Sequence, residues 1–85
     1  MNRRKLLQRL SRGAVQNVAF GEFRALVEAF GFRLSRVSGS HHIMVHPSVP
    51  AILTLQSFGG EAKPYQIRQF MKIVERYNLR MEADE

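Results

Sequence analysis

The chain of 85 residues contains no cysteine. That excludes a disulfide framework, a cysteine-based zinc site and a thiol nucleophile. It agrees with a reducing cytoplasm, where the protein is expected to reside. Aspartate is scarce as well: Asp84 is the first in the chain, so no aspartate precedes it to complete a Ser-His-Asp triad with Ser40. No apolar run approaches the ~20 residues of a membrane span. Met1-Asn2-Arg3-Arg4-Lys5-Leu6-Leu7 starts like a secretion signal, but the apolar run stops at Gln8-Arg9. Gly59-Gly60 is not a P-loop, because no Gly-Lys-Ser/Thr follows it.

What is present is an apolar fraction of 45%, with six phenylalanines, as in a folded domain and unlike a disordered chain. The length predicts a single domain over residues 1–85. Its net stability should be on the order of 5 kcal/mol, so a partner covering one face would matter to it. The formal charge is +6. Arg3, Arg4, Lys5, Arg9 and Arg12 precede any acid, and Glu82, Asp84 and Glu85 gather at the end. A small basic body commonly meets polyanions, with nucleic acid the leading candidate. Basic residues that merely solubilise the surface are the plain alternative.

Periodicity gives the element order. Asn2 can cap a helix over about 3–12, with Leu6, Leu7 and Leu10 as its apolar stripe, arginines on the opposite face and Gly13 as its stop. Residues 14–20 read as an extended connector tacked down by Val15, Val18 and Phe20. Gly21 opens a second helix over 21–30 in which Phe23, Leu26, Val27 and Phe30 share one face, and Gly31 ends it. Three strand candidates follow: 32–37, His41–His46 and Ala51–Leu55, joined by turns at Gly39-Ser40 and Ser48-Val49-Pro50. Phe58-Gly59-Gly60-Glu61-Ala62 reads as a flexible loop. Pro64 starts a last helix over 64–78, with Ile67, Phe70, Met71, Val74 and Tyr77 inward. From Leu79 on, an acidic tail is expected to fray. The sum is an α+β domain: a three-stranded antiparallel meander with helices on one face, plus an N-terminal helix.

All three histidines lie in Gly39-Ser40-His41-His42-Ile43-Met44-Val45-His46-Pro47. No other segment concentrates groups able to move a proton near neutral pH. On a strand, His41, Ile43 and Val45 point one way and His42, Met44 and His46 the other. Ile43 and Val45 are the expected core residues, which turns His42 and His46 outward. His41 then sits at the strand's start, where side chains emerge at the core's edge. His42 and His46 are about 13 Å apart along a strand, too far to share one ion at about 2 Å each; no metal or other cofactor is expected. For an arbitrary strand histidine, a surface position without a role is the simpler account.

The second constellation is Lys63-Pro64-Tyr65-Gln66-Ile67-Arg68-Gln69. A lysine at a helix N-terminus suits phosphate, Arg68 and Lys72 continue the positive face, and Tyr65 can stack on a base. An ordinary amphipathic helix with solvated basic residues explains the same pattern.

Gly31-Phe32, Arg36-Val37-Ser38-Gly39-Ser40-His41-His42-Ile43 and His46-Pro47 together resemble the HicA toxins of bacterial type II toxin–antitoxin pairs. Lys63–Phe70 and Glu75-Arg76-Tyr77-Asn78-Leu79 are similar to a longer subgroup of that family. The resemblance covers about residues 20 to 80. It implies a fold like a double-stranded-RNA-binding domain, α-β-β-β-α. It implies an mRNA interferase that halts translation with one essential histidine and no metal, and a HicB antitoxin that covers the active site. The family's histidine maps onto Gly39-Ser40-His41-His42, with His41 the favoured position and His42 the alternate. Two departures stand out: the extra N-terminal helix, and Gln56 with the Gly-Gly loop where many members carry a proline-histidine pair. On this basis the chain is expected to be an endoribonuclease. His41 is the expected proton carrier, Arg36 steadies the transition state, and Lys63, Tyr65, Arg68 and Lys72 hold RNA. A non-catalytic RNA-binding module fits fold and charge equally well, and a structural domain whose basic face binds an acidic protein is a third reading.

Overall fold

Local signals and tertiary contacts together set each element. The computed structural model describes residues 2–81; the acidic tail from Glu82 on lies outside them. Helix α1 (Arg3–Ser11) starts where expected, because the Asn2 side chain accepts a hydrogen bond from Lys5 N–H at 3.1 Å. It ends at Gly13 (φ 87°), whose N–H donates to Leu10 C=O while Ala14 N–H reaches back to Arg9 C=O. This left-handed end satisfies carbonyls that the helix itself leaves open. Leu6 and Leu10 are buried. The arginines do not all ride in solvent, however. Arg9 reaches across to donate to Gln16 C=O and, at 3.5 Å, to Asn17 C=O, tying the connector to the helix.

The connector does more than link. Val15, Val18 and Phe20 are buried as expected. In addition, Val18–Ala19 forms strand β1, which pairs antiparallel with a two-residue strand at Glu61–Ala62, Val18 opposite Ala62. Gly21 therefore does not cap the next helix. Helix α2 (Phe20–Ala29) begins one residue earlier, after Ala19, and Phe20 N–H donates to Gly60 C=O at 2.9 Å. A cross-chain carbonyl here replaces the side-chain cap. Gly31 (φ 98°) ends α2 as expected, its N–H on Glu28 C=O at 3.0 Å.

Strands β2 (Arg33–Ser38), β3 (His41–His46) and β4 (Val49–Gln56) form an antiparallel sheet in the order β2-β3-β4. After β4 the expected flexible loop is ordered instead. Phe58 and Glu61 exchange backbone hydrogen bonds around Gly59-Gly60, and β5 (Glu61–Ala62) completes the pair with β1. Helix α3 (Pro64–Arg76) has proline at its start and stops short of residue 78. Asn78 takes the left-handed conformation (φ 53°), its N–H donates to Glu75 C=O, and Leu79 N–H donates to Val74 C=O at 2.9 Å.

The core lies between the β2-β3-β4 sheet and the helices. It holds Leu6 and Leu10 of α1, Phe23, Leu26, Val27 and Phe30 from around α2, Met44, Leu53 and Leu55 of the sheet, and Ile67 and Phe70 of α3. Phe70 is its centre, edge-on to Phe23, Phe30 and Phe32 at centroid distances of 5.6, 5.5 and 6.2 Å. Each fully buried side chain of this size contributes on the order of 1.5–3 kcal/mol. The fold is α+β with a three-stranded antiparallel sheet, consistent with the double-stranded-RNA-binding-like architecture.

Candidate active site

The central strand β3 positions the histidines, and it does so with its faces opposite to expectation. Met44 is fully buried and pairs with Leu53, whereas Ile43 is only half-buried and Val45 is exposed. His42, Met44 and His46 therefore face the helices, and His41, Ile43 and Val45 face the open side of the sheet. Both faces of β3 are apolar enough to be core, so alternation alone could not choose between them. The choice is made by ring packing. His42 lies against Phe20 with centroids 5.3 Å apart, and His46 lies edge-on to Phe32 at 5.1 Å. An imidazole presents an aromatic face to such neighbours and still has two nitrogens to satisfy.

The three rings have three different situations. His46 is fully engaged: Nε2 faces Phe30 C=O at 3.0 Å and Nδ1 accepts from Ser48 N–H at 3.0 Å. The carbonyl must receive a proton, so the Nε2–H tautomer fits both bonds. Far from incidental, His46 ties the β3–β4 turn to the end of α2. His42 is half-buried, and its Nδ1 is buried with no hydrogen-bond partner. His41 is exposed, at the first position of β3, between Ser38 of β2 and Gln56 of β4. Gly39 (φ 60°) makes the turn that delivers it; a left-handed residue here favours glycine.

Arg36 shares the open face with His41. It pairs with Ile43, and Arg33 pairs with Val45. A bulge between Leu34 and Arg36 inserts one extra residue in β2, so two arginines three positions apart emerge on the same side. Sequence spacing alone would have put them on opposite faces.

The N-terminus of α3 approaches the same end of the sheet through Gln66. This is the buried polar side chain among the described residues, only 2% exposed. Oriented to satisfy both groups, its carboxamide accepts from Gln56 N–H at 3.2 Å and donates to Gln56 C=O at 3.3 Å. Gln56 is the cross-strand partner of His41. Helix α3 is thereby stapled to the strand position beside the candidate histidine. In sequence, Gln66 is one polar residue of a basic segment; its place beside Ile67 on the inward side is the available signal.

Lys63 and Tyr65 gather around Phe58, which lies in the ordered turn after β4. The ammonium of Lys63 lies 5.3 Å from the Phe58 ring centre, and the Tyr65 ring is 6.5 Å away on a tilted axis. Tyr65 is 59% exposed. Pro64 has no N–H, and Gln66 N–H turns back to Lys63 C=O at 3.0 Å. Few backbone donors therefore remain there for an anion, and Lys63 itself supplies the charge. Arg68 is exposed one turn on. Lys72 lies apart from the others: it lines a groove between α3 and α1, with Leu10, Ser11, Met71, Val74 and Glu75. Among the described residues no cluster of three or more His, Cys, Asp or Glu could hold a metal ion, and no helix is long and apolar enough to cross a membrane.

A small basic α+β domain thus carries a turn-borne histidine on the open face of its sheet and an aromatic–lysine cluster at the start of its last helix. The sequence model of the HicA toxins of bacterial toxin–antitoxin pairs matches residues 20–75. The chain belongs to the HicA toxin family. The match begins at the first residue of α2 and leaves α1 outside it. No curated protein and no solved structure matches the chain.

Proposed function

We propose that this protein is an endoribonuclease toxin that cleaves mRNA and stops translation, neutralised by a HicB-like antitoxin. The observation that carries the reading is the exposure of His41 on the open face, beside Arg36's strand, in a chain of the HicA family. An RNA backbone can reach that imidazole, whereas the His42 ring is packed on Phe20.

The chemistry is transesterification. Neutral His41 takes the proton of a ribose 2′-OH, and the 2′-oxygen attacks the adjacent phosphorus. The bond to the 5′-oxygen breaks, and that oxygen receives the proton back from the imidazolium, directly or relayed through one water. The products are a cyclic phosphate and a free 5′-hydroxyl, with His41 back in its starting state. The Arg36 guanidinium, on the same face, offsets charge that builds on the phosphate oxygens. Lys63 and Arg68 hold the backbone, Lys72 adds charge only from its more distant place beside α1, and Tyr65 stacks on a base. No step needs a metal ion, and a neutralising antitoxin would work by covering His41.

Purified protein with single-stranded RNA in EDTA tests this. Cyclic-phosphate ends, lost in His41→Ala, are the expected result. Binding without cut products would favour a non-catalytic RNA-binding module instead.

A further inference from the structure

The two edges of the β2-β3-β4 sheet are unequal. On β4, Pro50 lacks an N–H, and the carboxamide of Gln66 occupies the backbone of Gln56. That edge is blunted at both ends. On β2 all six residues are exposed, and β3 is its one neighbour in the sheet. Leu34 and Val37, paired with Met44 and His42, remain 38% and 53% exposed although they lie on the helix side. Arg33 and Arg36 lie together on the other side because of the bulge, and no ion pair engages either of them among the described residues. From residue 29 to residue 60 the chain has no Asp or Glu, so nothing on the sheet neutralises them. A pocket lined by Arg33, Val45, His46 and Pro47 opens beside the first residue of β2.

We propose that the β2 edge is a docking site for an extended, acidic segment of a partner protein, which adds to the sheet as a fourth strand. Its peptide groups pair with the free edge of Arg33–Ser38. Alternate side chains supply carboxylates to Arg33 and Arg36 on one face and apolar contacts to Leu34 and Val37 on the other. A second copy of this chain is a poor occupant, because pairing β2 with β2 brings like charges together. RNA can reach the guanidinium groups but offers no strand to the peptide edge. The proposal concerns binding and stands whether or not the protein cleaves RNA.

The test uses the full-length isotope-labelled protein and two blocked decapeptides, one alternating Glu and Val, the other Lys and Val. The Glu peptide is expected to slow amide exchange along Arg33–Ser38 and to bind roughly fivefold tighter than the Lys peptide, as two exposed ion pairs would give. In the Arg33→Glu/Arg36→Glu variant, both positions being exposed, the preference should reverse while protection stays on β2. Protection that falls on β4 or α3, or an unchanged preference in the variant, would overturn the assignment. So would a dimer with protected β2 amides before peptide is added, or equal β2 protection by single-stranded RNA.

Discussion

The carboxamide of Gln66 binds both backbone groups of Gln56, at 3.2 and 3.3 Å, and Gln56 stands directly across from His41. One buried side chain thus fixes the start of α3, with Lys63 and Tyr65, relative to the strand that flanks the candidate histidine. A carboxamide reproduces the donor and acceptor of a peptide unit, so α3 closes the end of β4 much as another strand would.

Replacing Gln66 by Met keeps the approximate shape and removes both bonds. The loss should be about 1–3 kcal/mol, since two backbone groups of half-buried Gln56 lose their partner. Urea unfolding should show a lower midpoint, and Gln56 N–H should exchange faster than in the parent. Unchanged Gln56 exchange would mean that the staple is not formed.

The adjacent histidines should separate function from stability. His41 is exposed, so His41→Ala should leave stability within about 0.5 kcal/mol while abolishing RNA cleavage and growth arrest. His42→Ala removes a ring packed on Phe20 and should cost about 1–3 kcal/mol. His42→Phe restores the ring and should recover most of that loss together with activity. Activity retained in His41→Ala and lost in the stable His42→Phe would move the proton-transfer role to His42.

His46 should prove structural. His46→Ala cuts its bonds to Phe30 C=O and Ser48 N–H and its contact with Phe32. A loss of about 1–3 kcal/mol is expected, seen as a lower Tm. Cleavage per folded molecule should stay close to that of the parent. A fall in cleavage with no fall in Tm would contradict the assignment.

Charge removal along α3 should be graded. Lys63 sits at the Phe58–Tyr65 cluster, and Lys72 lines the α1 groove, about 13 Å further along the helix at 1.5 Å per residue. Lys63→Ala should weaken single-stranded RNA binding most, Arg68→Ala less and Lys72→Ala least. Each lost phosphate contact should lower the salt slope by roughly 0.7. Titrations at several salt concentrations read both quantities; equal slopes in all three variants would remove α3 from the RNA path.

Much of this protein was determined by sequence alone. Elements with a strong period or a stop signal formed where expected: α1 with its Asn2 cap, the end of α2 at Gly31, and Pro64 at the start of α3. These depend on neighbours within one helical turn, so local residues suffice. The antiparallel meander and the family were equally legible, because turn spacing and the Gly39-Ser40-His41-His42 element are local as well.

Tertiary structure alone decided which face each histidine takes. Ile43, Met44 and Val45 are apolar on both sides of β3, and the strand settled with Met44 inward because Phe20 and Phe32 wait there for the imidazoles of His42 and His46. The bulge that aligns Arg33 with Arg36, the β1–β5 pair that replaces an expected loop, and the Gln66–Gln56 staple belong to the same class. Each joins residues distant in the chain or shifts a register by one, and a one-residue shift in a strand exchanges its faces. Sequence therefore supplied the residues from which the candidate site is drawn; packing decided that His41 is exposed and His42 half-buried against Phe20.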